Sequence, residues 1–257
     1  MSDHNLIKRR MLIKTLGAAC STSLLSMPSY AKNAPIQNDG KFSDTGNVLP
    51  WAGDTIICPL PFNSPAFQEM LNINAEVTRH FRDYVAATPP ASYHMTIYGC
   101  ADPQRRAAHL WPAGKPLTAP IAEITQTLLE RLQAQRFTYP SPIRMRVDTD
   151  ETKGLTIIPL LPADTSERTT LYQLRHDIAR TTGLMTPNLD TFRFHITFGY
   201  PFRPMPDDVA AAFQKACMEW RNRLAARSPY IDLPAPLYCR FTDMFAFEPL
   251  MTLKRKI

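Results

Sequence analysis

Two short segments place a threonine two residues after a histidine, between apolar neighbours: His94-Met95-Thr96-Ile97 and His195-Ile196-Thr197-Phe198. An imidazole titrates near neutral pH and can take up or release a proton, while a hydroxyl can donate to a charged oxygen. On a strand, residues two apart share a face, so each histidine would point the same way as its threonine. The pattern predicts two matching acid–base groups. The alternative is a pair of core histidines held by threonine hydroxyls, which the repetition disfavours.

Two further side chains are in phase with these histidines and are candidates for binding the substrate. Tyr98 lies four residues after His94, where it could stack on a base or bond a phosphate. Arg193 lies two residues before His195, where its charge could neutralise a phosphate. A packing tyrosine and a solvated arginine at a strand end remain the alternatives for these two positions.

Apolar periodicity divides the chain into helices and strands that can position these residues. We expect strands at 55–60, 92–98, 143–147, 155–161, 191–200 and 238–247, and helices at 65–87, 118–132, 166–182 and 206–224. The order helix, strand, His-x-Thr occurs once in each half, at 65–98 and 166–198. We therefore predict an α+β fold of two pseudo-symmetric lobes, each an antiparallel sheet with outer helices. His94 and His195 would face each other across a central cleft.

With their flanking residues the two segments resemble the hallmark of the 2H phosphoesterase superfamily: Tyr93-His94-Met95-Thr96-Ile97 and Phe194-His195-Ile196-Thr197-Phe198. The opening Gly53-Asp54-Thr55-Ile56-Ile57-Cys58-Pro59-Leu60 also resembles an uncharacterised bacterial and fungal branch. The resemblance implies a 2′,3′-cyclic phosphate or small 2′-linked nucleotide or RNA-end substrate, and no metal or other cofactor. It leaves the individual substrate open.

The predicted residues suit hydrolysis of such a phosphodiester. One histidine would take a proton from water and the other would protonate the leaving sugar oxygen, while Thr96 and Thr197 hold the non-bridging oxygens. Which histidine is the base stays open. Two other functions compete: a non-catalytic module that binds a nucleotide or phosphoester in the same cleft, and acid–base catalysis on a substrate without phosphate. Intact histidines and threonines in both motifs favour catalysis.

Composition limits the class of partner. The net charge of +6 falls to +3 without residues 1–31, which carry four basic residues and one acidic residue. So small a charge does not argue for long nucleic acid and suits a small anionic substrate. The four cysteines after residue 31 allow either two disulfides or four buried apolar side chains, and none has metal-ligand spacing. They are Cys58, Cys100, Cys217 and Cys239.

The first 31 residues resemble a cleavable twin-arginine export signal. Paired arginines, Arg9 and Arg10, precede a weakly apolar stretch, and small residues at Ser29 and Ala31 suit a signal peptidase. We expect a signal peptide at 1–31, an extended tail at 32–53 and a bilobal domain at 54–257. The export machinery would be a partner, the location would be the periplasm, and we expect no stable membrane association.

Changing Arg9-Arg10 to Lys-Lys should block export, because the paired arginines are the feature the twin-arginine route reads. Fractionation of a bacterial host would show wild-type protein in the periplasm, with a mature N-terminus following Ala31. Full-length wild-type protein retained in the cytosol would contradict the assignment.

Overall fold

The computed structural model describes residues 40–151 and 156–256, so the expected signal peptide and residues 32–39 of the expected tail lie outside the described residues. Ten strands and four α-helices follow in the order β1 (Gly53–Pro59), α1 (Pro65–His80), β2 (Val85–Ala87), β3 (His94–Gly99), α2 (Ile121–Gln133), β4 (Ile143–Val147), β5 (Ile157–Pro162), α3 (Thr165–Thr182), β6 (His195–Thr197), β7 (Gly199–Pro201), α4 (Asp207–Arg227), β8 (Ile231–Leu233), β9 (Leu237–Phe241) and β10 (Phe247–Thr252). No helix in the described ranges is long and apolar enough to cross a membrane.

Eight of the strands form one sheet in the order β10-β9-β1-β3-β6-β5-β4-β8, and every neighbouring pair is antiparallel. The remaining strands, β2 and β7, pair with each other. The two predicted histidine strands, β3 and β6, are the central pair. Four strands lie on each side of their junction, and we name these the first lobe (β10, β9, β1, β3) and the second lobe (β6, β5, β4, β8). The α+β class with two related lobes is confirmed.

The two lobes exchange strands. The chain runs β1-α1-β2-β3-α2-β4 in its first half, but β4 pairs with β5 of the second lobe. In the second half, β9 follows α4 and β8, yet it pairs with β1 of the first lobe. The first lobe therefore takes β9 and β10 from the second half of the sequence, and the second lobe takes β4 from the first half. This exchange ties the halves into one folding unit.

The helices cover one face of the sheet and leave the other open. In β3 and β6 the residues Met95, Ile97 and Ile196 are fully buried, and they belong to one core cluster that includes side chains from all four helices. Apolar residues recur at helical spacing in each helix, so each buries one stripe on the sheet. The alternate residues of β3 and β6 are only half-buried. The polar face of the central strands therefore opens outward.

Several predicted boundaries are corrected by tertiary pairing. The helix expected at 65–87 ends at His80, and Val85–Ala87 instead forms β2, which pairs with β7. That pairing also interrupts the strand expected at 191–200, which divides into β6 and β7. The strand expected at 238–247 ends at Phe241, and the chain turns back into β10. Local patterns could not reveal these partners, because strand pairing depends on residues far apart in sequence.

Residues 40–52, expected as part of an extended tail, pack against the domain. Phe42 is buried and stacks on Tyr200, with ring centroids 4.9 Å apart. Phe202 and Met244 complete the same small apolar cluster. Phe42 is buried only by residues far away in the chain. The local sequence around it, which has the composition of a loop, therefore indicated an extended tail. The four cysteines are buried thiols, which favours the apolar alternative over disulfides.

A buried carboxyl group joins the start of β1 to the end of β3. Asp54 is 1% exposed, and its carboxylate accepts hydrogen bonds from the Ala101 amide (2.8 Å) and the Thr125 hydroxyl (2.6 Å). Burial raises the pKa of Asp54 from 3.8 to about 6, against the opposing effect of these two donors. Burial penalises the charged form, so ionisation of Asp54 destabilises the fold.

The Asp54→Asn variant should gain stability relative to the wild-type protein as pH rises. The raised pKa gives a stabilising contribution that is complete below pH 3.8 and is lost as pH rises through about 6. The shift corresponds to about 3 kcal/mol. Chemical denaturation at several pH values should show the Asp54→Asn free energy of unfolding gaining on the wild type by that order. Asp232→Asn is the control, because Arg144 lowers the pKa of exposed Asp232. A pH-independent difference at Asp54 would contradict the prediction.

Candidate active site

The two histidine–threonine pairs meet on neighbouring strands. β3 and β6 run antiparallel with Met95 opposite Ile196. This register sets His94 opposite Thr197 and Thr96 opposite His195. Directly opposite Cβ atoms in such a pair are about 4.5–5.5 Å apart, and diagonal neighbours about 7–8 Å. The four predicted catalytic side chains thus form one compact patch, small enough for both imidazoles to reach a single phosphate.

Both imidazoles are oriented by the same backbone contact. The Nδ1 atom of His94 lies 2.7 Å from the Ser92 carbonyl oxygen, and Nδ1 of His195 lies 2.8 Å from that of Arg193. A carbonyl only accepts, so Nδ1 carries the hydrogen and Nε2 keeps its lone pair. Nothing in the described part of the chain hydrogen-bonds to either Nε2 atom. Both are available to a ligand.

The threonine hydroxyls are also available. Thr96 and Thr197 are half-buried, and across residues 40–151 and 156–256 neither hydroxyl has a protein hydrogen-bond partner. A hydroxyl group beside an imidazole can donate to an oxygen of the same ligand. The site therefore presents two Nε2 atoms and two hydroxyl groups, related by the pseudo-symmetry of the strands.

Aromatic rings flank the histidines. The ring of Phe247, on β10, meets the His94 ring edge-on with centroids 4.4 Å apart. Phe192 lies near His195, with ring centroids 6.3 Å apart. These apolar rings displace water from the imidazoles. Sequence reasoning missed Phe247 because it lies far from His94 in the chain. It missed Phe192 because alternation along the strand expected at 191–200 places Phe192 on the face opposite His195, whereas β6 begins only at His195.

Burial makes both imidazoles harder to protonate. It lowers the pKa of His94 from 6.5 to about 4; the hydrogen bond to Ser92 opposes this effect, and the charge of His195 adds to it. Burial also lowers the pKa of His195, opposed by the contact with the Arg193 carbonyl and assisted by the Arg193 charge. In the free protein at neutral pH both rings are therefore mainly neutral. A bound anion would favour the protonated form.

The expectation that Tyr98 shares the face of His94 is wrong. A β-bulge at Ile97 interrupts the register between β3 and β1, because Ile56 pairs with Tyr98 while Ile57 pairs with Thr96. The extra residue shifts the alternation, so Tyr98 is fully buried and its hydroxyl donates to the Leu184 carbonyl. Tyr98 is thus a core residue of the structure, and its placement gives no support to a role in binding the substrate.

Arg193 lies beside the site but has a partner. Its side chain is 58% exposed and forms an ion pair with Glu151. Its backbone carbonyl orients His195, and its charge affects the pKa of that ring. The structure therefore places Arg193 next to His195, as expected, with an ion pair that a phosphate would have to displace or share.

The remaining described histidines lie outside the patch. His176, on α3, pairs with Asp190 at 2.7 Å. His80 is the last residue of α1, and His109 lies within a short 3₁₀ turn at Ala108–Leu110. Within the described ranges, no group of three or more His, Cys, Asp or Glu side chains is arranged to hold a metal ion.

Comparison with known proteins yields a family similarity and a fold similarity. A family model labelled 2H-phosphodiest, a domain of unknown function (DUF1868), matches residues 41–156. The matched segment contains the first histidine motif and ends before the second. A search of curated proteins found no significant match.

One solved structure extends the fold similarity over most of the chain. A conserved protein of unknown function from Agrobacterium tumefaciens is 27% identical, with a TM-score of 0.79 over 88% of this chain and 97% of that one. A Thermus thermophilus protein is 14% identical, with a TM-score of 0.42 over 81% of this chain and 100% of that one. The Agrobacterium protein supports the α+β fold of the whole described domain.

Proposed function

We propose that this protein is a metal-independent phosphodiesterase that hydrolyses a 2′,3′-cyclic phosphate or a small 2′-linked nucleotide or RNA-end substrate. The observation that carries the proposal is the matched pair of imidazoles on β3 and β6. Each has its Nδ1 held by a backbone carbonyl and its Nε2 unpartnered among the described residues, and each lies opposite the other motif's threonine. The similarity to a 2H-phosphodiesterase-type family over residues 41–156 supports the same reading.

The geometry suits a displacement at phosphorus with both histidines in use. A neutral imidazole accepts a proton through Nε2 from the attacking water, whose oxygen forms a new bond to phosphorus. The protonated imidazole gives its Nε2 proton to the ribose oxygen as the bond from phosphorus to that oxygen breaks. Thr96 and Thr197 donate to the non-bridging oxygens and stabilise their charge. The product is a phosphomonoester.

Binding of an anionic substrate would change the protonation of the patch. Because burial lowers both imidazole pKa values, the free site holds little positive charge at neutral pH. A phosphodiester anion beside the rings would raise their pKa values and help one ring to hold the proton it must donate. Substrate binding and protonation of the general acid are thus coupled. The proposal also retains export: cleavage near Ala31 would release the enzyme into the periplasm to meet its substrate there.

Alanine at either histidine should abolish most turnover. We expect kcat to fall by about 100- to 10,000-fold for His94→Ala and for His195→Ala. The double variant should be little worse, since base and acid serve one displacement. Thr96→Val and Thr197→Val should each cost about 10- to 100-fold, the effect of one hydrogen bond to a charged group. Purified protein would be assayed with 2′,3′-cyclic nucleotides and cyclic-phosphate-ended oligonucleotides in EDTA.

His176→Ala is the matched control, because His176 pairs with Asp190 outside the patch and its loss should leave kcat unchanged. Each variant is first shown to melt near the wild type. A folded His94→Ala variant with wild-type turnover would overturn the two-histidine mechanism. Wild-type protein that binds these ligands without turning them over would support the binding-module alternative, and activity abolished by EDTA alone would point to a metal site.

The pH profile of kcat/KM should be a bell centred on the acidic side of 6.5. This constant reports the free enzyme, which needs one neutral and one protonated imidazole, and both pKa values lie below 6.5. On the alkaline side, activity should fall as pH rises and the last imidazole proton is lost. On the acidic side, activity should fall as pH drops through about 4, the pKa of His94, because both rings are then protonated. Phe247→Ala should admit water to His94, raise its pKa and move the acidic limb to higher pH. A bell centred above about pH 7.5 would contradict the assignment.

A further inference from the structure

A buried arginine connects the two histidine strands. Arg175, on α3, is 1% exposed and donates only to main-chain and amide oxygens. Its Nη1 bonds the Ile97 carbonyl, Nε bonds the Leu189 carbonyl at 3.1 Å, and Nη2 bonds the Asn188 carbonyl at 3.1 Å. No ion pair in the described part of the chain involves Arg175. Burying a guanidinium without a carboxylate costs free energy. Its hydrogen bonds to carbonyl oxygens offset part of that cost, and an apolar side chain at this position could not form them.

The first of these contacts reaches the first motif. Ile97 is the extra residue of the β-bulge and follows Thr96 directly. A bulge disrupts the hydrogen-bond ladder, so the carbonyl of the bulged residue needs another donor. Arg175 supplies that donor. The arginine thereby holds the strand that carries His94 at the point where its polar face ends.

The other contacts reach the segment that leads into the second motif. Asn188 and Leu189 lie in the loop between α3 and β6. The guanidinium also packs on the ring of Phe192, with its central carbon 4.0 Å from the ring centroid, and Phe192 flanks His195. One rigid, planar group is therefore hydrogen-bonded both to β3 itself and to the loop that leads into β6. Its five donors stand in a fixed planar fork on three nitrogen atoms, whereas a lysine offers three donors on a single nitrogen.

We propose that Arg175 is a positioning residue that sets the placement of His94 relative to His195. Its burial keeps it away from the substrate, so it acts through the two strands. The role rests on the proposed phosphodiesterase activity, in which both imidazoles must address one phosphate. A displacement of about 1 Å at such a site can lower the rate about 100-fold.

The kinetic test compares Arg175→Met with Arg131→Met. Arg131, on α2, also donates to backbone carbonyls, those of Thr182 and Ala113, but contacts neither histidine strand. For Arg175→Met we expect kcat for a 2′,3′-cyclic nucleotide to fall by about 100-fold with KM changed far less, because the chemical step needs the alignment. Arg131→Met should keep kcat at a comparable melting temperature. Equal losses of kcat in the two variants would overturn the proposal.

A second measurement does not depend on turnover. Histidine ring ¹H–¹⁵N spectra of the purified protein, recorded across pH, report the tautomers and pKa values of His94 and His195. Arg175→Met should shift both titrations while Arg131→Met leaves them unchanged, and two undisturbed titrations would overturn the proposal. Because this readout needs no substrate, it decides the role of Arg175 even if the wild type shows no phosphodiesterase activity. If Arg175→Met fails to fold, Arg175→Lys and Phe192→Leu are judged by the same two criteria.

Discussion

The antiparallel pairing of β3 with β6 is the interaction on which both the fold and the candidate site depend. One register pair, Met95 with Ile196, joins two groups of four strands into a single sheet. A shift of one residue would turn His94 and Thr96 into the core and expose Met95 to solvent. The apolar side chains that hold the lobes together thus also determine which side chains lie on the open face of the sheet.

Exchange of strands between the halves explains why this junction can be so short. Few residues pair directly across it, but β4, β9 and β10 cross between the halves and enter the opposite lobes. All four helices then contribute to one core cluster. The lobes are held by the shared core and by these crossing strands, so the polar face at the junction need not supply much stability. That leaves its polar atoms available to a ligand.

The site combines features that would be unfavourable in a purely structural sheet. Two imidazoles with lowered pKa values stand beside hydroxyl groups that have no partner within the described residues, and aromatic rings exclude water from them. Partly buried polar groups without partners cost free energy, and a bound phosphate would supply the missing contacts. Burying Arg175 adds a further cost, which is offset by its hydrogen bonds to a carbonyl of β3 and to carbonyls of the loop before β6.

From the sequence alone, the paired motifs and their period of two determined the catalytic candidates, the two related halves and the α+β class. These features are local, because alternation on a strand follows from backbone geometry. Only the tertiary structure decided that Tyr98 is buried and that Phe247 flanks His94. It also decided that Arg175 is hydrogen-bonded to β3 and to the loop before β6. Each of these depends on a bulge, a strand exchange or a contact between residues far apart in the chain, and such long-range pairing leaves no periodic signal in the sequence.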